Sequence, residues 1–395
     1  MPVCQTDPRA YPGNKINKSI QMISSKFFIE TLAKNGIDFF AGVPDSLLKN
    51  ICAYITDNYS DRNNIIAANE GAAIGLATGY YLATCRIPVV YMQNSGEGNA
   101  VNPLMSLTDK EVYNIPVLLV IGWRGKPGVK DESQHKKQGI VTLPLLEAMG
   151  IRYSVLSKEE VEAKRQIDEA VSYMLKTKEA YALVVEKETF EDYKLQTVIE
   201  SGFMLGREDA IKIVAGALGD RDVVVSTTGM ISRELFEYRE SVSQGHAKDF
   251  LTVGSMGHAS QIALGIALQK PERKVFCFDG DGATIMHMGS MAITASKNPI
   301  NYHHVVFNNG AHDSVGGQPT VGLNIDLENI ALGCGYKKVW SVSTKKNLKI
   351  VLPDFINAEG PVMLEVKVKK GNRKDLGRPT ITPIQNKESL MDFLI

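Results

Sequence analysis

Two segments decide the fold of this chain, residues 274–283 (KVFCFDGDGA) and residues 303–311 (HHVVFNNGA). In each, an apolar run typical of a buried strand ends in a turn of Gly, Asp or Asn. The turns are therefore predicted at the carboxyl ends of strands, where doubly wound parallel sheets bind ligands. Asp281 and Asn309 offer hard oxygen atoms that suit Mg²⁺, and the glycines let phosphate groups approach the backbone. Two ordinary surface turns are the alternative interpretation.

Strand and helix patterns alternate on both sides of these segments. Residues 87–93 and 115–123 are apolar, as in strands of a parallel sheet, and residues 70–84 combine small and apolar side chains at helical spacing. We therefore predict an α/β protein built from two doubly wound parallel-sheet domains. The predicted boundaries are residues 1–190 for the first domain, 191–205 for a linker and 206–395 for the second domain.

Composition limits the class of protein. The 44 basic residues balance the 44 acidic ones among 395, so there is no overall positive field to attract nucleic acid or an anionic membrane. The five cysteines are scattered without a CxxC pair, which favours reduced thiols over disulfides or zinc ligation. Because no apolar run is typical of a secretion signal or a membrane span, we expect a cytoplasmic protein that binds neither nucleic acid nor membrane.

Two acidic residues of the first domain are candidates for chemistry. Glu70 stands where the strand pattern of residues 64–68 changes into a helix pattern, and Asp45 follows the apolar run of residues 39–43. Each has a structural alternative, because a carboxylate stabilises the first turn of a helix and an Asp can cap the helix that follows it.

The GDG and NN turns, separated by twenty-five residues, resemble the cofactor motif of the thiamine diphosphate-dependent decarboxylase and acetohydroxyacid synthase superfamily. The resemblance covers residues 20–370, but the central third domain of the larger members is missing. It implies thiamine diphosphate and Mg²⁺ as cofactors, with the side chains of Asp281 and Asn309 and the carbonyl of Ala311 as metal ligands. It also implies that Glu70 is the carboxyl group that bonds the cofactor's aminopyrimidine.

The same resemblance implies further cofactor contacts. In residues 251–268, Met256 corresponds to the apolar residue that supports the bent cofactor, and the Gly254 carbonyl corresponds to the acceptor for its amino group. The turn STTG at residues 226–229 suits the diphosphate, although it can equally cap the following helix. The implied cofactor-binding residues are Glu70, Thr228, Gly229, Gly254, Ser255, Met256, Gly280, Asp281, Gly282, Ala283 and Asn309.

Two other stretches, FAGVPDSLLK at residues 40–49 and NNGAHDSVGGQPT at 308–320, look most like the phosphonopyruvate decarboxylases and next most like the sulfopyruvate decarboxylases. Both groups act on a small 2-oxo acid with a second, strongly anionic group. Residues 122–139, GWRGKPGVKDESQHKKQG, follow a strand and are predicted to form a loop whose basic side chains suit such a group; a merely solvated surface loop is the alternative. The candidate substrate contacts are Arg124, Lys126, Lys130, Lys136, Lys137, His312 and Gln318.

The resemblance also implies catalytic roles for His135 and Asp45 beside Glu70. The expected reaction is non-oxidative decarboxylation of 3-phosphonopyruvate to phosphonoacetaldehyde, and sulfopyruvate decarboxylation and acetolactate synthase-like carboligation are the alternatives. A nicotinamide dehydrogenase is disfavoured because no GxGxxG motif follows a strand. The superfamily pattern further implies a homodimer or larger homo-oligomer in which two chains share each site.

Overall fold

The computed structural model describes residues 22–197 and 201–395. In the first half of the chain, six helices alternate with six strands, all of which join one parallel sheet of order β2-β1-β3-β4-β6-β5. In chain order these elements are α1 (Ser25–Lys34), β1 (Phe40–Gly42), α2 (Lys49–Asn58), β2 (Asn64–Ile66), α3 (Glu70–Thr84), β3 (Val89–Gln93), α4 (Glu97–Pro103), β4 (Leu118–Gly122), α5 (Ser133–Ala148), β5 (Arg152–Val155), α6 (Glu160–Thr177) and β6 (Tyr181–Val185).

The second half forms another six-stranded parallel sheet, of order β13-β14-β10-β9-β7-β8, with a small antiparallel hairpin of β11 and β12 beside it. In chain order its elements are α7 (Arg207–Gly216), β7 (Val223–Ser226), α8 (Met230–Ser241), β8 (Asp249–Leu251), α9 (Ala259–Gln269), β9 (Val275–Gly280), α10 (Asp281–Met286), α11 (Gly289–Lys297), β10 (Tyr302–Asn308), β11 (Ala311–His312), β12 (Gln318–Pro319), α12 (Leu327–Cys334), β13 (Lys338–Val342), α13 (Lys345–Asn357), β14 (Val362–Lys367) and α14 (Pro383–Leu394).

The two sheets share one topology. In each, the first strand of the half lies between the second and the third, as β1 lies between β2 and β3 and β7 lies between β8 and β9. The connections therefore leave a strand pair in opposite directions at β1/β3 and at β7/β9, which are the switch points where such sheets bind ligands. The predicted fold of two doubly wound parallel sheets without a third domain between them is confirmed.

Helices cover both faces of each sheet, so the central strands are apolar on both sides. Every residue of β4 is buried, with Leu118 and Val120 in one apolar cluster and Leu119 and Ile121 in the other. Full burial of such a side chain contributes roughly 1.5–3 kcal/mol. The two clusters fix the sheet between its helix layers and hold the strand ends where the candidate side chains lie.

The basic segment of residues 122–139 is only partly a loop. Its second part forms α5, which begins at Ser133 and includes Gly139 and Pro144. These residues weaken helix propensity, so the local sequence gave little indication of the helix. The expectation that His135, Lys136 and Lys137 lie on a loop was therefore wrong.

Residues 191–197 and 201–205 contain no helix or strand, in agreement with a connecting segment, while the predicted domain boundaries themselves stay predictions. Residues 1–21 and 198–200, within the predicted first domain and linker, lie outside the described residues. In the described part of the chain, Cys52, Cys85, Cys277 and Cys334 are free thiols, and no helix is both long and apolar enough to span a bilayer.

Candidate active site

The two motif turns of the second sheet meet at its carboxyl edge. Asp281 begins α10 directly after β9, and its carboxylate accepts hydrogen bonds from the Asn309 backbone N–H, at 3.4 Å, and from the Thr320 hydroxyl. Only 2% of Asp281 is exposed, and burial raises the pKa of its carboxyl group to about 6. A bound cation would offset the cost of ionising this buried carboxylate.

Asn309 lies beside this carboxylate, and its side chain is fixed by two contacts. Its Oδ1 accepts from the Ala311 N–H at 3.1 Å, and its Nδ2 donates to Asp313 at 2.6 Å. The preceding Asn308 differs, because it donates at 2.7 Å to the buried Glu365 and thereby holds the turn. A carboxylate, an amide oxygen and a backbone carbonyl suit Mg²⁺, so the residues present fit the predicted metal.

The turn between β7 and α8 lies across the switch point from Asp281. Gly229 has a φ of 96°, a left-handed conformation that favours glycine, and no side chain of the described residues caps the first N–H groups of α8. Thr228 is therefore not the N-cap of this helix. Uncapped N–H groups at a helix start attract phosphate oxygens, so the geometry suits the predicted diphosphate contacts of Thr228 and Gly229.

His312 and Met256 converge on Gly282. A β-carbon at Gly282 would lie 2.9 Å from the His312 ring and 3.4 Å from the Met256 methyl group, so glycine allows both side chains to pack here. Burial lowers the pKa of His312 to about 4, which leaves its imidazole neutral near pH 7. Ser255, between Gly254 and Met256, is exposed and has a φ of 53°. The structure therefore brings the two predicted turns, residues 254–256 and 280–283, together.

Glu70 is the first residue of α3, in the other half of the chain. Asn69 caps this helix by accepting from the Ala72 N–H at 2.9 Å, so the Glu70 side chain has no capping role. The Glu70 carboxylate accepts from Asn99 Nδ2 at 2.8 Å, and the residue is only 5% exposed. A carboxyl group in so dry a place fits the predicted role.

Asp45 is fully buried after β1. Its two carboxylate oxygens accept from Gln93 Nε2 at 2.5 Å and from the Leu47 N–H at 2.8 Å. Because α2 begins only at Lys49, Asp45 is not the N-cap of that helix. Burial raises the pKa of Asp45 against the effect of these hydrogen bonds. A buried carboxyl group with a raised pKa at a switch point is a candidate proton donor.

The basic residues of the segment 122–139 differ in their burial and in their ion-pair partners. The Arg124 guanidinium forms a two-pronged ion pair with Asp131, at 2.5 and 2.8 Å, and Lys126 pairs with Glu186. Lys130, Lys136 and Lys137 are exposed, and the last two lie on α5. The two cations that are partly buried therefore already have carboxylate partners.

His135, on the first turn of α5, points into the interior. It is 8% exposed, and burial, followed by the charge of Arg124, lowers its pKa. Its Nδ1 has no hydrogen-bond partner among the described residues. Gly125 and Gly139 allow this placement, because a β-carbon at Gly139 would lie 1.7 Å from the Gly125 carbonyl oxygen.

The carboxyl edges of the two sheets face each other within the chain. Asn69, next to Glu70, donates to the Met286 carbonyl at 3.3 Å, and a β-carbon at Gly254 would lie 3.5 Å from the Gln134 side chain. The predicted pyrimidine and diphosphate halves are thus adjacent in a single chain, whereas the superfamily pattern implies that they meet between two chains.

Three side chains that were not among the predicted site residues support the candidate groups. Asn99 bonds Glu70, Gln93 bonds Asp45 and Thr320 bonds Asp281. Gln93 and Asn99 lie in the polar stretch QNSGEGN that follows an apolar strand, which is a usable signal. Thr320 follows a Gly-rich hairpin, and only the fold brings it to Asp281.

Comparison with known proteins matches the two halves of the chain to two domain families. Residues 22–143 match the model of the N-terminal TPP binding domain of thiamine pyrophosphate enzymes, and residues 227–366 match that of the C-terminal TPP binding domain. The chain is 30% identical to phosphonopyruvate decarboxylase of Streptomyces hygroscopicus, with 94% of each chain covered. It is 31% identical to that of Streptomyces viridochromogenes, covering 92% of this chain and 93% of the relative. A sulfopyruvate decarboxylase of Methanosarcina acetivorans is 28% identical, covering 87% of this chain and 91% of the relative.

Proposed function

This chain belongs to the thiamine pyrophosphate enzyme family that includes the phosphonopyruvate decarboxylases, and we propose that it converts 3-phosphonopyruvate to phosphonoacetaldehyde and carbon dioxide. One observation carries the proposal: two half-sites face each other, with Glu70 at the edge of one sheet and Asp281 and Asn309 at the edge of the other. Near full-length similarity to two phosphonopyruvate decarboxylases supports this substrate.

The second half of the chain would hold the cofactor's diphosphate and its metal. Asp281, Asn309 and the Ala311 carbonyl would ligate Mg²⁺, and the amides near Thr228 and Gly229 would donate to phosphate oxygens. Gly254 and Met256 would contact the organic rings. When bound, thiamine diphosphate would supply a nucleophilic carbon for the 2-oxo group and a sink for the electrons released with carbon dioxide.

The first half supplies the acid–base groups. Glu70, which is 5% exposed and accepts a hydrogen bond from Asn99, would hold a proton at the pyrimidine ring. Asp45 follows β1 and His135 lies on the first turn of α5 in the same half, and both are buried. Burial raises the pKa of Asp45 and lowers that of His135, so the imidazole is neutral near pH 7. Such a pair can deliver a proton to the product carbon.

We propose a homodimer as the smallest assembly. α3 exposes Gly75, Leu76, Gly79 and Leu82 on one face, a combination of small and apolar residues that suits a second helix packed closely against it. Exchange of halves between identical chains would reproduce the contacts of Asn69 with Met286 and of Gln134 with Gly254. A site shared between two chains, as the family implies, is therefore compatible with two sheets whose carboxyl edges face each other.

Substrate comparison tests the reaction. Purified protein with thiamine diphosphate and Mg²⁺ should release carbon dioxide from phosphonopyruvate with a higher kcat/KM than from sulfopyruvate or pyruvate. Preference for sulfopyruvate would favour the alternative suggested by the Methanosarcina relative. Formation of acetolactate from pyruvate as the main product would instead identify a carboligase.

A further inference from the structure

Three charged side chains form a buried cluster next to the candidate metal ligand Asn309. Arg207, the first residue of α7, donates through Nε and Nη2 to the two carboxylate oxygens of Glu234 on α8, at 2.8 and 3.0 Å. Its Nη1 donates at 2.9 Å to Asp313, in the loop between β11 and β12. Arg207 and Glu234 are buried, and the Asp313 side chain is only 7% exposed.

Stability alone does not account for a cluster of this kind. Removing ionised groups from water is costly, and well-packed apolar residues of similar volume often stabilise a protein interior as well or better. Apart from its contacts with Arg207 and the Gly371 N–H, Asp313 reaches a residue of the candidate metal site. This contact suggests what the buried charges do.

Asp313 fixes one end of the Asn309 side-chain amide. Its Oδ2 accepts from Asn309 Nδ2 at 2.6 Å, while the Asn309 Oδ1 accepts from the Ala311 N–H at 3.1 Å. A reversed amide would bring two donors together at Ala311 and two acceptors together at Asp313. The orientation of the amide is therefore set at both ends.

This orientation matters because only one end of an amide can bind Mg²⁺. The carbonyl oxygen is a hard ligand with two lone pairs, whereas the NH₂ group is a donor only. The Asn309 Oδ1 uses one lone pair for the Ala311 N–H and keeps the other for a cation. Loss of a hydrogen bond that orients a metal ligand typically weakens metal binding about ten- to a hundredfold.

We propose that Asp313 is a positioning residue for the metal ligand Asn309 and that Arg207 holds Asp313 in place; the inference rests on the magnesium site of the proposed function. The same guanidinium connects the two parts of that site, because Glu234 lies on α8, the helix that begins directly after Gly229. The cluster thus ties the turn suited to the diphosphate to the turn suited to the metal.

Metal affinity, measured without turnover, tests the assignment. Equilibrium dialysis of thiamine diphosphate against the purified protein, over a series of Mg²⁺ concentrations, gives the Mg²⁺ concentration at which half of the protein holds the cofactor. Asp313→Ala should raise this concentration about ten- to a hundredfold. Asp220→Ala, at an exposed position in the same half of the chain, is the control and should leave it unchanged.

A second background separates orientation of the ligand from general loosening of the structure. In Asn309→Asp the ligand is a carboxylate, which presents an oxygen whichever way it turns. Asp313→Ala should therefore not weaken Mg²⁺ binding in this background, where it also removes a repelling neighbour. An equally large loss of Mg²⁺ affinity in both backgrounds would leave Asp313 with a structural role only.

Asp313→Asn keeps the inference testable if Asp313→Ala does not fold. This isosteric change retains an acceptor for Asn309 and should raise the half-saturating Mg²⁺ concentration less than about threefold. In the Asn309→Asp background it should instead lower that concentration, because its NH₂ group can donate to the introduced carboxylate. Equal effects in the two backgrounds would show that the two side chains are not coupled and would overturn the inference.

The outcomes also separate this inference from the proposed function. If the parent retains thiamine diphosphate only with Mg²⁺ and Asp313→Ala needs no more Mg²⁺ than the parent, Asp313 does not position the ligand. A parent protein that retains the cofactor equally well without a divalent ion would remove the metal assignment and this inference with it. A parent that binds both cofactors but does not turn over phosphonopyruvate would contradict the proposed substrate alone.

Discussion

Gly96 packs directly against the carboxylate of Glu70, since a β-carbon on Gly96 would lie 2.3 Å from the Glu70 Oε1 atom. Asn99, three residues later, holds the other oxygen at 2.8 Å. The segment after β3 therefore fixes Glu70 from two sides, and the position of this carboxyl group depends on a glycine in a different element.

Gly96→Ala should displace the Glu70 side chain and lower kcat at least about tenfold, because misplacement of a reacting group by about 1 Å can cost a hundredfold. Gly98→Ala is the matched control, because a β-carbon at Gly98 would meet no atom of the described residues within 4 Å. We expect this control to keep its activity. Equal kcat values for the two variants, measured with phosphonopyruvate, would show that the contact has no catalytic consequence.

Glu70→Gln should lower turnover by several orders of magnitude while thiamine diphosphate stays bound. An amide cannot hold the proton at the pyrimidine ring as a carboxyl group does, although it can still accept from Asn99. Hydrogen–deuterium exchange at C2 of the bound cofactor measures this step without substrate. Exchange as fast as in the parent protein would leave Glu70 with a structural role only.

Asp281→Ala should abolish the Mg²⁺-dependent retention of thiamine diphosphate, because the carboxylate is the charged member of the predicted ligand set. The measurement is the amount of cofactor that stays with the protein after gel filtration, with and without a chelator. Asp354→Ala, at an exposed position of α13, serves as control. Full activity of the parent after exhaustive chelation and dialysis would contradict the metal assignment.

The local sequence could predict those parts of the site whose conformation is set by neighbouring residues in the chain. The apolar strands β9 and β10 and the Gly–Asp and Asn turns after them follow from alternation and turn chemistry, and α3 follows from helical periodicity. α5 could not be predicted in this way, because packing of Gly139 on Gly125 and a 2.8 Å bond from the Trp123 indole to the Gly139 carbonyl stabilise it.

Charge patterns were a weaker guide than strand and turn patterns. The cluster of basic residues around Arg124 indicated an anion site, but the fold pairs Arg124 with Asp131 of the same segment. Arg207, Glu234 and Asp313 are distant from one another in the sequence and form one buried cluster only because α7, α8 and the loop between β11 and β12 pack together. Contacts between distant residues are set by tertiary packing, which no local motif encodes.

Glu97 gives a prediction of pH dependence. Burial raises the pKa of this carboxyl group from 4.5 to about 8, and one of its oxygens has no hydrogen-bond partner among the described residues. Between these pH values the folded chain retains a proton that the unfolded chain releases, so this group makes the protein less stable as pH rises. Glu97→Gln should therefore stabilise the protein more at pH 8 than at pH 5, by at most about 4 kcal/mol.

Urea unfolding of the parent and the variant at both pH values measures this difference. Glu111→Gln, at an exposed position, is the control and should leave the pH dependence unchanged. A difference between Glu97→Gln and the parent that is the same at pH 5 and pH 8 would show that Glu97 does not titrate in this range.

Mixing of inactive chains tests whether Glu70 serves its own chain or a neighbour. In a homodimer with exchanged halves, a pair of one Glu70→Gln chain and one Asp281→Ala chain contains one site with both substitutions and one intact site. After subunit exchange at equal concentrations, about a quarter of all sites should be intact, so activity should return to about that fraction of the parent value. Sedimentation of the parent protein must then show at least a dimer. If the mixture stays inactive although mixed dimers are demonstrated with tagged chains, each site is completed within one chain, through the contacts of Asn69 with Met286 and of Gln134 with Gly254.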